Sequence, residues 1–273
     1  MKSAVTPIAI AKPHTLDEAL VLLRDERLVP IAGATDLYVG LNFGTLQATR
    51  FMDVTRLHEL RGIHSNGTLV TIGAGVTYTE IMRSALMQEH LPMLVQAASQ
   101  VGGVQIQNRG TIGGNIANGS PAGDSLPVLS AADAVVVMQS ARGERRVPFN
   151  QFYTGYRASV LAADELIVAI EIPHVEGAQW FRKVGTRAAQ AISKLVMAAV
   201  RAPSPRIALG SVAATTVRLP RTEASLASGA GIDDAVNVLE SEITPIDDVR
   251  STADYRRKVA GNLLRRFLAD TSG

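Results

Sequence analysis

Apolar positions in the first part of the chain alternate between helical and extended spacing. Leu16, Ala19, Leu20 and Leu23 recur at the three-and-four interval of one helix face, and Thr15 with Glu18 forms a capping box. A helix is therefore predicted to about residue 25. Val29-Pro30-Ile31-Ala32 reads as a short buried strand, followed by a helix over about 36–43 and a strand over 50–54. From Leu57 onward the pattern predicts a strand over 68–74, one helix from Thr77 to about residue 88, capped by Thr77 and Glu80, and a further helix over 91–101. Asp124 and Ser125 are candidate caps for a helix through 132. A hairpin of 134–139 with 145–147 turns at Arg142-Gly143, and a strand over 165–172 ends at Pro173. The last hundred residues predict antiparallel strands over 180–185, 192–200 and 206–214, then helices over 222–228, 232–241 and 252–269.

One stretch fits none of these periods. Residues 109–124 hold five glycines in sixteen positions, separated by small or hydrogen-bonding side chains. Such a segment gains little from burial, and glycine lets main-chain N–H groups come close to a ligand. Read as a loop, it offers a concavity of consecutive N–H groups suited to phosphate, with Thr111, Asn115, Asn118 and Ser120 as added donors. A second small-residue turn, Gly33-Ala34-Thr35-Asp36, follows the strand at 29–32. Two such turns in one chain suit a ligand with two phosphates. An ordinary surface loop is the plain alternative for either segment.

Composition narrows the chemistry. The 273 residues include no cysteine, which leaves no thiolate for an iron–sulfur cluster, a zinc site or a nucleophile, and the five histidines are scattered without a paired spacing. No metal site and no catalytic side chain is predicted, so any electron transfer here needs an organic cofactor. A net charge of +2 with 4% aromatic residues argues against nucleic acid, and no long uncharged apolar run argues for a membrane span. A cytoplasmic protein is the expectation. Gly73-Ala74-Gly75-Val76-Thr77-Tyr78 begins like a dinucleotide fingerprint but places tyrosine at the third glycine, and is discounted. Arg256, Arg257, Lys258, Arg265 and Arg266 read as the solvated face of the last helix, with a subunit contact as the sharper alternative.

Ala32-Gly33-Ala34-Thr35-Asp36 and Thr111-Ile112-Gly113-Gly114-Asn115, with the residues that follow to Asp124, resemble the two FAD-binding motifs of the flavoprotein subunits of molybdenum hydroxylases. That family includes the bacterial xanthine dehydrogenases and the medium subunit of aerobic carbon monoxide dehydrogenase. Residues 152–157, 164–173 and 181–194 match as well, and the last two segments look more like the xanthine dehydrogenase branch.

The resemblance implies an α+β fold: a two-lobed FAD-binding domain of the PCMH type, with lobes 1–57 and 58–175, then a C-terminal α+β domain over 176–273 with a small antiparallel sheet and helices. It implies that Pro30, Ile31, Ala32, Gly33, Ala34, Thr35, Asp36 and Leu37 wrap one side of the FAD pyrophosphate. Thr111, Ile112, Gly113, Gly114 and Asn115 would wrap the other, with Val101, Ala117 and Asn118 also against the cofactor. Asp124 would reach its polar groups, and Ile167 and Lys183 would touch it; a surface lysine on an edge strand is the alternative for Lys183. Ala34 stands where many relatives carry glycine, a costly exchange if that position has positive φ.

The implied activity is that of an oxidoreductase subunit that takes electrons from partner iron–sulfur clusters to FAD and on to NAD+ or another acceptor. A molybdenum-cofactor subunit would oxidise the substrate within a heterotrimer. The competing readings are a stand-alone oxidase or reductase with non-covalent FAD, and a non-enzymatic nucleotide-binding module.

Overall fold

The computed structural model describes residues 8–272, so the first seven residues of the first predicted unit lie outside it. The chain opens with β1 (Ala9–Ala11), α1 (Leu16–Glu26), β2 (Val29–Ile31), α2 (Leu37–Asn42) and β3 (Arg50–Asp53). The three strands form a parallel sheet in the order β1-β3-β2. Thr15 Oγ1 accepts from the Glu18 amide at 3.2 Å, while the Glu18 carboxylate accepts from the His14 amide at 2.7 Å. The Thr15 half of the predicted capping box is present, but Glu18 reaches back to the residue before the cap, so the reciprocal bond of a capping box is not made. Ala19, Leu20 and Leu23 are buried from this helix. They pack with Met52, Val54, Leu57 and Leu60, and also with Val137, Leu166 and Val168 from a later sheet. β2 departs from expectation: it is an edge strand, and Val29 is 42% exposed.

The second unit comprises β4 (Ile63–Ser65), β5 (Leu69–Gly73), α3 (Tyr78–Arg83), α4 (Ala85–His90), α5 (Pro92–Gln100), α6 (Val104–Gln107), α7 (Ile112–Asn118), α8 (Leu126–Ala131), β6 (Val135–Ser140), β7 (Gly143–Pro148), β8 (Tyr153–Gly155), β9 (Ala158–Ser159) and β10 (Leu166–Pro173). β4-β5-β10-β6-β7 form an antiparallel sheet with β10 at its centre. Ile167, Ile170 and Ile172 of β10 enter the core beneath the helices, whereas Leu166 and Val168 enter the core of the first unit. Apolar cover on both faces explains why this strand alternates only loosely. The single helix predicted over 77–88 is two, because Ser84 is extended and its hydroxyl caps α4 through the Met87 amide.

The third unit is an antiparallel sheet of β11 (Ala178–Val184), β12 (Leu195–Arg201), β13 (Arg206–Gly210) and β14 (Val217–Arg218), followed by α9 (Pro220–Ala227), α10 (Ile232–Glu242) and α11 (Ala253–Asp270). Leu195, Met197, Ala199, Ile207 and Leu209 face these helices. Val196, Ala198, Val200 and Ala208 face the core of the second unit. One cation on α11 is not solvated as predicted: Arg256 is buried, donating to the Ile246 carbonyl at 3.3 Å and to Asp248 at 2.8 Å.

Candidate functional site

The turn after β2 lies flush against the glycine-rich segment. A Cβ built on Gly33 would sit 1.8 Å from the Arg109 carbonyl oxygen, so glycine here sets the closeness of two segments far apart in sequence. Ala34 has φ +59°, in the left-handed region, where its methyl group costs roughly 1–2 kcal/mol. Among the described residues the amides of Gly33, Ala34, Thr35 and Asp36 donate to no protein acceptor. The Asp36 carboxylate accepts from Asn118 Nδ2 at 3.3 Å, and Arg157, which also donates to Asn118 Oδ1, lies 3.9 Å from it. Asp36 and Asn118 thereby tie the two predicted motifs together.

The second motif is a helix, not the loop expected from its glycines. Thr111 caps α7 by accepting from the Gly114 amide at 3.1 Å. The Ile112 and Gly113 amides donate to the Val76 and Ala74 carbonyls at 3.0 and 2.9 Å. The predicted row of ligand-facing N–H groups is therefore largely consumed within the protein. Ile112 and Ile116, one turn apart, anchor the helix in the core. Its adjacent glycines differ in role. A Cβ on Gly113 would meet Ala74 at 2.6 Å, whereas Gly114 is exposed and its Cβ would meet only Thr111 Oγ1, at 2.9 Å.

A cleft of about 380 Å³ opens between the two motifs, lined among others by Ala32, Gly33, Arg61, Gly75, Arg109 and Thr111. Arg61 and Arg109 were not among the predicted site residues. Arg61 is fixed by the Gly75 and Thr55 carbonyls at 2.9 and 3.1 Å. The discounted glycine fingerprint supplies this wall, because Gly73 and Gly75 make room for the Leu60 carbonyl. Arg109, immediately before the glycine motif, was legible as a cation beside a phosphate-type turn. Of the residues predicted around the diphosphate, only Ala32, Gly33 and Thr111 line this cleft. Ala34, Thr35 and Asp36 continue the turn beyond it, Ile112, Gly113, Gly114, Asn115, Ala117 and Asn118 lie further along α7, and Pro30, Ile31 and Leu37 lie on the flanking elements.

A second cluster lies where the third unit docks. Lys183 is neither exposed nor on a free surface: its ammonium donates to Asp124 at 2.6 Å and to the Gln100 carbonyl at 2.8 Å, and both side chains of the pair are 7% exposed. Asp124 also accepts from Ser193 Oγ, and burial, opposed by Lys183 and Ser193, holds its carboxyl above the usual carboxylate range. Neither Asp124 nor Ser125 caps α8 by side chain. Asp124 is instead committed to the domain contact, since desolvating a carboxylate demands a charged partner. Val101 follows Gln100 at the end of α5, and a smaller opening of about 90 Å³ lies between Gln100, Lys183, Arg187 and Gln190. Ile167 is buried in β10, beside a register shift, and lines neither opening.

Residues 6–175 match the family described as the FAD binding domain in molybdopterin dehydrogenase, and residues 179–271 match the CO dehydrogenase flavoprotein C-terminal domain. The chain belongs to this family of FAD-binding subunits. It is 32% identical over 275 residues to the carbon monoxide dehydrogenase medium chain of Hydrogenophaga pseudoflava, covering 94% of each. It is 31% identical over 274 residues to the xanthine dehydrogenase FAD-binding subunit of Escherichia coli, covering 94% of this chain and 93% of that one. A solved carbon monoxide dehydrogenase from H. pseudoflava superposes with a TM-score of 0.89 at 30% identity, over 95% of both chains. These identities do not separate the two branches.

The α+β architecture and the FAD cofactor follow from the family. The chain is an oxidoreductase subunit of the molybdenum hydroxylase class. The cleft brings Gly33, the first of four successive uncommitted amides, beside Arg61, Arg109 and the Thr111 cap; free amides next to cations suit an anion.

Proposed function

We propose that this chain is the electron-transfer subunit of a xanthine dehydrogenase-like molybdenum hydroxylase. It would stand between iron–sulfur clusters on one partner subunit and NAD+ or another acceptor, with the molybdenum cofactor on a further partner. The observation that carries this reading is the close approach of the Gly33 turn to the residues just before α7, with Gly33 and the α7 cap Thr111 lining one cleft and the amides of residues 33–36 uncommitted. When bound, the flavin supplies one- and two-electron redox chemistry. This chain's residues bind and orient it: the amides of 33–36 and the Gly114 face would hold the diphosphate, Arg109 would offset its charge, and Ala32 and Thr111 would border it.

Asp124 and Lys183 would lie at the other end of the cofactor, beside the smaller opening, with Val101 and Ile167 as apolar walls close by. No side chain here is assigned acid or base work. The complete absence of cysteine means that any iron–sulfur cluster must be held elsewhere.

Purification of the native complex with cofactor analysis by subunit tests the reading. Flavin on this chain, with iron, sulfide and molybdenum on co-purifying subunits, is the expected result. Turnover of a small substrate by this chain alone would overturn it in favour of a stand-alone flavin oxidase or reductase.

A further inference from the structure

Tyr78 stands where a dinucleotide fingerprint would carry its third glycine, and its side chain is buried at 1% exposure. Its hydroxyl has one hydrogen-bond partner among the described residues, Ser125 Oγ at 3.1 Å. Ser125 is itself fully buried, and its hydroxyl lies 3.0 Å from Asn115 Oδ1. The direction of this relay follows from counting protons. A phenol accepting from Ser125 would leave its own proton buried without an acceptor, a costly state. Tyr78 therefore donates to Ser125, and the Ser125 hydroxyl donates in turn to Asn115 Oδ1. Burial holds the phenol above its ordinary range, so the donor keeps its proton.

That direction fixes the carboxamide of Asn115. Its oxygen points inward to Ser125, leaving Nδ2 as the outer end, and Nδ2 donates to no acceptor among the described residues. Asn115 is half-buried, directly after the exposed Gly114 on α7. We infer that Tyr78 and Ser125 are positioning residues that orient Asn115 so that both its N–H donors are presented to an oxygen of the bound FAD. The inference rests on the cofactor reading above and adds to it a polar shell that selects an acceptor on the ligand.

FAD titration of the full chain, in a cycle of Tyr78→Phe, Asn115→Ala and the double variant, tests it. Tyr78→Phe should weaken FAD binding roughly ten-fold, the scale of one hydrogen bond to a charged group. In the Asn115→Ala background the same change should cost less than about two-fold, because the group being oriented is gone. Equal weakening in both backgrounds would show Tyr78 acting on the fold alone and overturn the inference, as would unchanged binding by Tyr78→Phe. Wild-type chain that takes up no FAD would instead overturn the cofactor reading itself, and this inference with it.

Discussion

Replacing the two adjacent glycines of α7 by alanine should give opposite outcomes. At Gly113 the new methyl group would lie 2.6 Å from the Ala74 Cβ and 2.7 Å from its carbonyl oxygen. Ala74 cannot retreat easily, since its amide donates to the Val168 carbonyl at 3.0 Å and its carbonyl accepts from Gly113. Overpacking of this kind costs about 1–3 kcal/mol, against about 0.5–1 kcal/mol gained from alanine's helix preference. With Ala74 pinned, the upper part of that overpacking range applies, about 2–3 kcal/mol, and Gly113→Ala is expected to lose about 1–2.5 kcal/mol of stability.

At Gly114 the methyl group meets only the Thr111 hydroxyl at 2.9 Å, and the surrounding space is open. The helix gain and a weakened cap, worth roughly 1 kcal/mol, nearly cancel, so stability should stay within about 1 kcal/mol of wild type. The methyl group would nevertheless occupy the face proposed above to meet the diphosphate, and on that proposal FAD affinity should fall at least about ten-fold, or 1.4 kcal/mol. Chemical denaturation of the apoprotein and fluorescence titration with FAD measure the two quantities separately. A Gly114→Ala protein that binds FAD as wild type does, or a Gly113→Ala protein as stable as wild type, would refute the reasoning.

Two further outcomes concern stability. Ala34→Gly should raise it by about 0.5–1 kcal/mol, because relief of the left-handed alanine exceeds the added chain entropy; a lowered denaturation midpoint would contradict this. At Asp248, burial works upward but is outweighed by the Arg256 guanidinium and the Arg250 and Ser251 amides, which bring its pKa down to about 2. A folded value below the unfolded one stabilises above the ordinary carboxylate range and is lost as pH falls toward 2. After allowance for solvent screening this amounts to roughly 1–2 kcal/mol. Denaturation curves between pH 5 and about 2 should show that loss, and Asp248→Asn should flatten it.

Much of the architecture was legible because it is local. Thr15 and Thr77 each open a helix where the capping pattern places one, the last helix begins at the predicted position, and the strand-forming runs of the last hundred residues pair as antiparallel neighbours. The glycine-rich helix was hidden by composition, since glycine is a poor helix former. Its signal was the four-residue spacing of Ile112 and Ile116 behind a threonine cap. What the sequence does not expose is long-range partnership. Asp124 meets Lys183 across 59 positions and Tyr78 meets Ser125 across 47, and neither pairing leaves a local pattern. Three-residue strands such as β1 and β4 likewise carry too few positions for alternation to show.

The first unit does not close its own core. Leu20 and Leu23 share one cluster with Leu166 and Val168, which belong to the middle strand of a sheet completed much later in the chain. During synthesis the Gly33 turn therefore emerges on a segment whose oily underside has no cover until that strand arrives. On the proposed site, flavin loading is expected only after that strand is in place, and a fragment cut after the first unit would expose a sticky face in place of half a binding site.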